Sequence, residues 1–192
     1  MVKSDQKRWN EKFKEKRFAL GKRANAFLRR NIGLLPKGKA LDIATGEGKN
    51  AVFLAQRGFR VDAVDTSEVG LKKAENLARE FGVEIHRVLA DLDNYQIPKD
   101  CYDLIANFYF LDRSLIPKIK MGLKRGGMVI FETYLLDQKA LSTEGPKNPR
   151  YFLKPNELLR LFKGFRILLY REGIFEEGGR RKAIASLIAK KK

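Results

Sequence analysis

The sequence has one cysteine, Cys101, and one histidine, His86. A lone thiol cannot close an internal disulfide, and a Cys/His zinc centre needs more such ligands than the chain owns. Long apolar runs are also missing. The longest is five residues, positions 51–55, against the roughly 20 that cross a bilayer. The first residues are basic but hold no apolar stretch, and Asp5, Glu11 and Glu15 interrupt them, so neither a secretory signal nor a transit peptide is expected. A reducing, cytoplasmic setting without a membrane span is the corresponding expectation. Acidic residues are scarce: 23 Asp and Glu face 40 Lys and Arg, a net charge of +17, while 44% of residues are hydrophobic. That composition suits a globular protein with a cationic surface. A length of 192 residues suits one domain that buries about 70% of its unfolded surface.

Trp9, Phe13, Leu20, Ala24, Phe27 and Leu28 recur at helical spacings, which predicts one or two amino-terminal helices over residues 1–35 as a cap. An apolar strand pattern at 39–44 is followed by the turn Thr45-Gly-Glu-Gly48 and a helical run at 50–57. The cycle repeats: strand 59–64, helix 67–81 with Ser67 as its cap, strand 83–89. Strand 103–108, helix 114–123 and strand 127–133 follow, the last after a Gly126-Gly127 turn. Such alternation predicts an α/β, Rossmann-like three-layer sandwich with a mostly parallel sheet. Residues 136–155 hold Gly145, Pro146, Pro149 and Pro155 with little periodicity and read as a lid loop. A short helix at 156–162 and two strand-like runs at 165–170 and 183–189, separated at Gly178-Gly179, suggest a closing hairpin.

Ligands of an open parallel sheet bind beyond the carboxyl ends of its strands, where the strand order reverses. After the first strand lies Asp42-Ile-Ala-Thr-Gly-Glu-Gly48. Its glycines allow a sharp turn and close backbone approach, and the next helix points free N–H groups at the same place. Asp65 follows the second strand, where a carboxylate can accept both hydroxyls of a ribose. Asp91 follows the third, placed for an amino-bearing base edge. Gly46-x-Gly48-x-x-Ala51 also fits a dinucleotide fingerprint with Asp65 as its ribose acid, so a nicotinamide-dependent dehydrogenase is a competing reading.

Asp42 ahead of the glycines, the third acid, the segment Leu123-Lys-Arg-Gly-Gly-Met-Val-Ile130 and the terminal hairpin together resemble the class I S-adenosylmethionine-dependent methyltransferases. Further segments sharpen the likeness: Trp9-Asn-Glu-Lys-Phe13, Phe110-Leu-Asp-Arg-Ser114 and Asn148-Pro-Arg-Tyr-Phe-Leu-Lys-Pro155. These are similar to the small single-domain subgroup related to tellurite-resistance and thiopurine methyltransferases. The resemblance covers nearly the whole chain and implies a seven-stranded sheet with an antiparallel last strand. It also implies S-adenosylmethionine as cofactor, with Asp42, Ala44, Gly46 and Gly48 around the methionine moiety. Asp65 and Thr66 would lie at the ribose, Asp91 and Leu92 at the adenine, and Asn107 at the end of the pocket, with Trp9 and Phe13 over it. Ala44 stands where the family usually has glycine.

Methyl transfer from a sulfonium is an in-line displacement in which protein groups align the acceptor and exclude water; no metal is called for. Arg113, Glu132 and Tyr134, with Asn148 and Arg150 from the lid, are the residues expected to face a small-molecule acceptor. His86 begins a strand, away from the ligand edge, and no histidine follows it, which weighs against tellurite as acceptor because related enzymes carry a His-Arg pair near the terminal hairpin. Eleven Lys or Arg in residues 1–30 and six in 178–192 leave RNA methylation, or weak nucleic-acid contact through a basic surface, as the alternative. A binding module without turnover is a third reading.

Overall fold

The computed structural model describes residues 3–141, 145–177 and 179–192. Its seven-stranded sheet is built from β1 (Lys39–Ile43), β2 (Arg60–Asp65), β3 (His86–Leu89), β4 (Tyr102–Phe108), β5 (Leu123–Tyr134), β6 (Arg166–Glu177) and β7 (Arg180–Lys190). The spatial order is β3-β2-β1-β4-β5-β7-β6. The first five strands are parallel, and β7 runs antiparallel to both β5 and β6. The order reverses between β1 and β4, and the crevice at their carboxyl ends is the place where such sheets bind ligands.

Among the described residues seven α-helices flank the sheet: α1 (Lys3–Phe13), α2 (Ala26–Asn31), α3 (Lys49–Gln56), α4 (Glu68–Glu80), α5 (Leu115–Gly122), α6 (Gln138–Leu141) and α7 (Glu157–Leu161). Successive strand residues point to opposite faces, so Ala40, Leu104, Ile130 and Ile188 pack with Phe27, Leu28, Ala51 and Leu54 of α2 and α3. Their neighbours Leu41, Ile105, Phe131 and Leu187 pack with Leu115 and Ile119 of α5 and Leu158 of α7. Burial on both faces explains the nearly continuous apolar reading of the central strands. In α4, Leu71, Ala74, Leu77 and Ala78 form the buried stripe, and the Ser67 hydroxyl caps the helix by accepting from the Gly70 amide at 3.0 Å.

Some boundaries differ from those read in the sequence. Strand β5 starts at Leu123 and runs through Gly126, whose φ of +79° accompanies a register shift against β4. The apparent glycine turn is a bulge inside one strand. Strands β6 and β7 have 12 and 11 residues, well beyond the apolar runs, because opposite charges such as Glu176 and Arg181 face each other across the ladder. Gly178 of that hairpin lies outside the described residues. The segment read as a lid in the sequence contains α6 and a 3-10 turn at Pro149–Tyr151, and a parallel bridge joins Leu135 to Leu153; positions 142–144 lie outside the described residues. Among the described residues no helix is long and apolar enough to cross a membrane.

Candidate active site

The turn after β1 is shaped by three left-handed residues, Ala44, Gly46 and Gly48, with φ of +53°, +57° and +82°. Its backbone is pinned by Thr45 N–H donating to the Val64 carbonyl and Gly48 N–H to the Thr45 carbonyl, both at 3.0 Å. At Gly48 a Cβ would stand 2.4 Å from that of Ala74, so only glycine lets α3 begin against α4. Ala44 occupies the position where the related pattern has glycine and takes the left-handed conformation, at a cost of about 1 kcal/mol.

Two buried carboxylates meet at this turn. Asp42 is 1% exposed and accepts from the Thr45 hydroxyl at 2.6 Å. Burial, reinforced by the negative charge of Asp65, pushes it up to about 7 against the opposing Thr45 hydrogen bond. Asp65 accepts from the Gly46 and Ser67 amides, each at 2.8 Å; burial raises its pKa although these amides oppose the shift. The Asp65 carbonyl accepts from Ala90 N–H at 3.0 Å, which brings Asp91 to the same rim. Asp91 is half-buried and organises its own turn by accepting from Asp93 N–H at 3.1 Å and the Asn94 amide at 3.2 Å. Leu92 is buried beside it.

Helix α1 lies over this rim. Gln6 donates to the Thr66 carbonyl at 3.1 Å, and the Asn10 side chain accepts from the Ser67 hydroxyl at 2.7 Å. Phe13 is buried and approaches Gly46, where a Cβ would stand 3.4 Å from the phenyl ring. Trp9 stacks on Phe13 with centroids 5.5 Å apart, and Lys12 Nζ lies 4.6 Å from the indole centroid.

The second half of the crevice is formed by β4, β5 and β7. Asn107 is buried and donates to the Phe110 carbonyl at 2.7 Å, which shapes a turn containing Tyr109 at φ +57°. The carboxylate of Glu132 is fully buried and accepts from Asn25 Nδ2 at 2.7 Å, Ser186 Oγ at 2.6 Å, and the Tyr109 hydroxyl and Arg171, both at 3.1 Å. Lys182 Nζ reaches to within 3.5 Å of the Tyr109 hydroxyl, and the rings of Tyr109 and Tyr134 lie 4.8 Å apart. Burial and then the neighbouring Lys182 charge lower the pKa of Lys49, so the two halves of the crevice share one electrostatic environment.

The structure thus gathers Asp42, Ala44, Gly46, Gly48, Asp65, Thr66, Asp91 and Leu92 at one rim with Trp9 above, and sets Asn107 and Tyr134 beside it. Two expected acceptor-facing residues are engaged differently. Glu132 is enclosed by four donors rather than solvated at a strand end. Arg113 is a strut: its guanidinium binds both carboxylate oxygens of Glu157, at 2.6 and 3.0 Å, and the carbonyls of Arg150 and Phe152, at 2.5 and 2.9 Å. A cleft of 660 Å³ opens beside it, lined also by Leu136, Lys154 and Arg160. Asn148 caps the 3-10 turn by accepting from Arg150 N–H at 3.0 Å. Sequence reasoning missed Tyr109, Asn25, Arg171 and Lys182. Only Asn25 had a local signal, as the helix-capping residue ahead of Phe27-Leu28.

The family model described as "Tellurite resistance protein TehB" matches residues 8–182. The chain belongs to the TehB family. A curated relative from Haemophilus influenzae, "Probable S-adenosyl-L-methionine-dependent methyltransferase TehB", is 29% identical over 167 residues, which are 80% of this chain and 57% of the relative. A "Ubiquinone biosynthesis O-methyltransferase" from Rickettsia felis is 27% identical over 145 residues, 66% of this chain and 59% of that protein. The chain therefore spans a little under three-fifths of these relatives. Among solved structures, TehB from Haemophilus influenzae superposes with a TM-score of 0.75 at 20% identity, covering 97% of this chain and 67% of the other. A SAM-dependent methyltransferase from Methanosarcina mazei gives 0.69 at 18% identity, covering 88% and 98%. These structural likenesses establish the Rossmann-like methyltransferase fold.

Proposed function

We propose that this chain transfers the methyl group of S-adenosylmethionine to a small-molecule acceptor, in a cytoplasmic setting and as a single catalytic domain. The carrying observation is the convergence of Asp42, Asp65 and Asp91 at the ends of three adjacent strands around a left-handed turn. The donor set fits the cofactor. Asp42 is a buried carboxylate raised to about 7, which a ligand ammonium or sulfonium would return to its ionised form. Asp65 and Asp91 set carboxylates at the rim where ribose hydroxyls and an adenine amino group would bind, and the buried Leu92 beside them offers an apolar edge. When bound, S-adenosylmethionine supplies an electrophilic methyl carbon activated by a sulfonium, so the protein's share is alignment and exclusion of water.

The rings of Tyr109 and Tyr134, 4.8 Å apart, are the proposed aromatic wall of the acceptor side, and Asn107, expected at the end of the cofactor pocket, shapes the turn that carries Tyr109 through its bond to the Phe110 carbonyl. Glu132 acts through Tyr109, holding the phenol hydroxyl while Lys182 approaches from the other side. Arg113 holds the 148–157 segment that covers the acceptor. The names of the relatives support this reading: one is named "Probable S-adenosyl-L-methionine-dependent methyltransferase TehB" and another "Ubiquinone biosynthesis O-methyltransferase". Two experiments test it. Calorimetry with S-adenosylhomocysteine should give saturable binding, and NADH binding in its place would favour the dehydrogenase. A labelled-methyl screen over small thiols, amines, carboxylates, hydroxyls and oxyanions, with total RNA alongside, should label a small molecule; label in RNA would overturn the acceptor class.

A further inference from the structure

Residues 14–25, between α1 and α2, contain no helix or strand, yet their backbone is held at several points by side chains of the cofactor half. Glu47, inside the glycine turn and 1% exposed, accepts from Ala19 N–H at 3.1 Å and Leu20 N–H at 2.9 Å. Lys73 of α4 donates to the same carboxylate at 2.7 Å and to the carbonyls of Glu15 and Arg17 at 2.7 and 2.9 Å. All three ammonium protons have an acceptor. Lys49 donates to the Leu20 carbonyl at 3.0 Å, and Phe18 lies against Lys73 and Lys22, each 5.1 Å from its ring. Leu20 and Phe13 close over Gly46, within 3.6 Å of where its Cβ would be.

We propose that Glu47 and Lys73 are positioning residues that latch this strap over the glycine turn, so that the strap sets cofactor retention. The strap has no regular hydrogen-bonding pattern of its own, so its place depends on the groups that satisfy its N–H and C=O atoms. Those groups belong to the turn itself and to the helix that follows β2. A ligand seated at the turn is enclosed only while the latch is made. Opening must break the bonds of Glu47 to the Ala19 and Leu20 amides and of Lys73 to the Glu15 and Arg17 carbonyls, while the largely buried Glu47–Lys73 ion pair holds the two latching groups in place beneath the strap. The cofactor part of this inference rests on the function proposed above; the latch rests on geometry alone.

Three measurements test it. In the wild-type protein the amides of Ala19 and Leu20 should exchange hydrogen slowly, although both residues are exposed on their side-chain face; exchange at the rate of free peptide overturns the latch. Trypsin should cut after Lys14, Lys16, Arg17, Lys22 or Arg23 at least about tenfold faster in Lys73→Met and Glu47→Gln, with Lys73→Arg closer to wild type. Arg79→Ala, on the exposed face of the same helix, should behave as wild type. Equal cleavage in all variants, or faster cleavage spread evenly over the chain, refutes the proposal. S-adenosylhomocysteine should dissociate at least about tenfold faster from Lys73→Met, with KM for the cofactor raised and kcat at saturation within about twofold. If the wild-type protein binds no S-adenosylhomocysteine, the proposed function fails, while exchange and proteolysis still decide the latch.

Discussion

The carboxylate of Asp65, at the end of β2, accepts a hydrogen bond from the amide of Gly46, in the turn after β1, at 2.8 Å. One side chain therefore fixes both the rim expected to hold a ribose and the turn expected to hold the methionine end. Asp65→Ala should lower S-adenosylhomocysteine affinity by about a hundredfold or more and lower stability by about 2 kcal/mol, since two amides lose their acceptor. Calorimetry and urea denaturation read the two effects separately. An affinity unchanged within threefold would remove Asp65 from the site.

Ala44 gives a prediction of opposite sign. Its φ of +53° is one that glycine adopts without strain. Ala44→Gly should stabilise the protein by up to about 1 kcal/mol, less the extra freedom gained by the unfolded chain, and Ala44→Val should destabilise it by more. The urea midpoints of the pair, set against wild type, decide this.

Asp42 sets a pH dependence. Its folded-state pKa, about 7, lies above the ordinary 3.8, so between those values the folded protein keeps a proton that the unfolded chain has released. The stabilisation is complete below about pH 4 and is lost as pH rises through 7. Asp65, also raised by burial, contributes in the same direction. Wild type minus Asp42→Asn should therefore show stability declining from pH 5 to 7.5, on the order of 1 kcal/mol or more. Affinity for a ligand carrying an ammonium group should rise over the same interval in wild type and stay flatter in Asp42→Asn.

Glu132 should be costly to alter. Glu132→Ala leaves Asn25, Ser186 and Arg171 without their shared acceptor in a fully buried place, and a loss of about 3–5 kcal/mol is expected. Tyr109→Phe removes only one donor from that carboxylate; it should cost about 1 kcal/mol in stability while lowering kcat/KM for the acceptor about tenfold or more. A Tyr109→Phe variant with unimpaired transfer would show that the phenol hydroxyl does not serve the acceptor.

Arg113→Ala should release the 148–157 segment by removing its contacts to Arg150, Phe152 and Glu157. The expected signature is faster tryptic cleavage at Arg150 and Lys154 and a raised KM for the acceptor, with cofactor affinity within about twofold of wild type. Weakened cofactor binding would mean that the segment supports both halves of the crevice.

The half proposed to hold the cofactor was legible because its information is local. Glycines in a turn, an acid at each strand end and Ser67 three residues before Gly70 all declare themselves within a few positions. The half proposed to meet the acceptor is assembled from distant pieces: Asn25 and Glu132 are 107 residues apart and Lys182 and Tyr109 are 73 apart, and no periodicity links them. Glu132 and Arg113 were recognisable as residues near the crevice, but their partners decide what they do, and those partners come from other strands and from the loop. The long β6–β7 ladder escaped for a related reason: its outer residues are charged, so cross-strand charge pairing replaces apolar alternation.

The reversal of strand order between β1 and β4 divides the crevice into two estates with separate tenants. Most of what is proposed to grip the cofactor comes from the strands on one side and the segments above them, with Asn107 of β4 expected at the boundary, and the residues proposed to meet the acceptor come from the other. If the proposed division holds, changes in β5, the terminal hairpin or the 148–157 segment would redirect the chain toward a new methyl acceptor without loosening its hold on the methyl donor, an economy that would suit this scaffold to directed diversification.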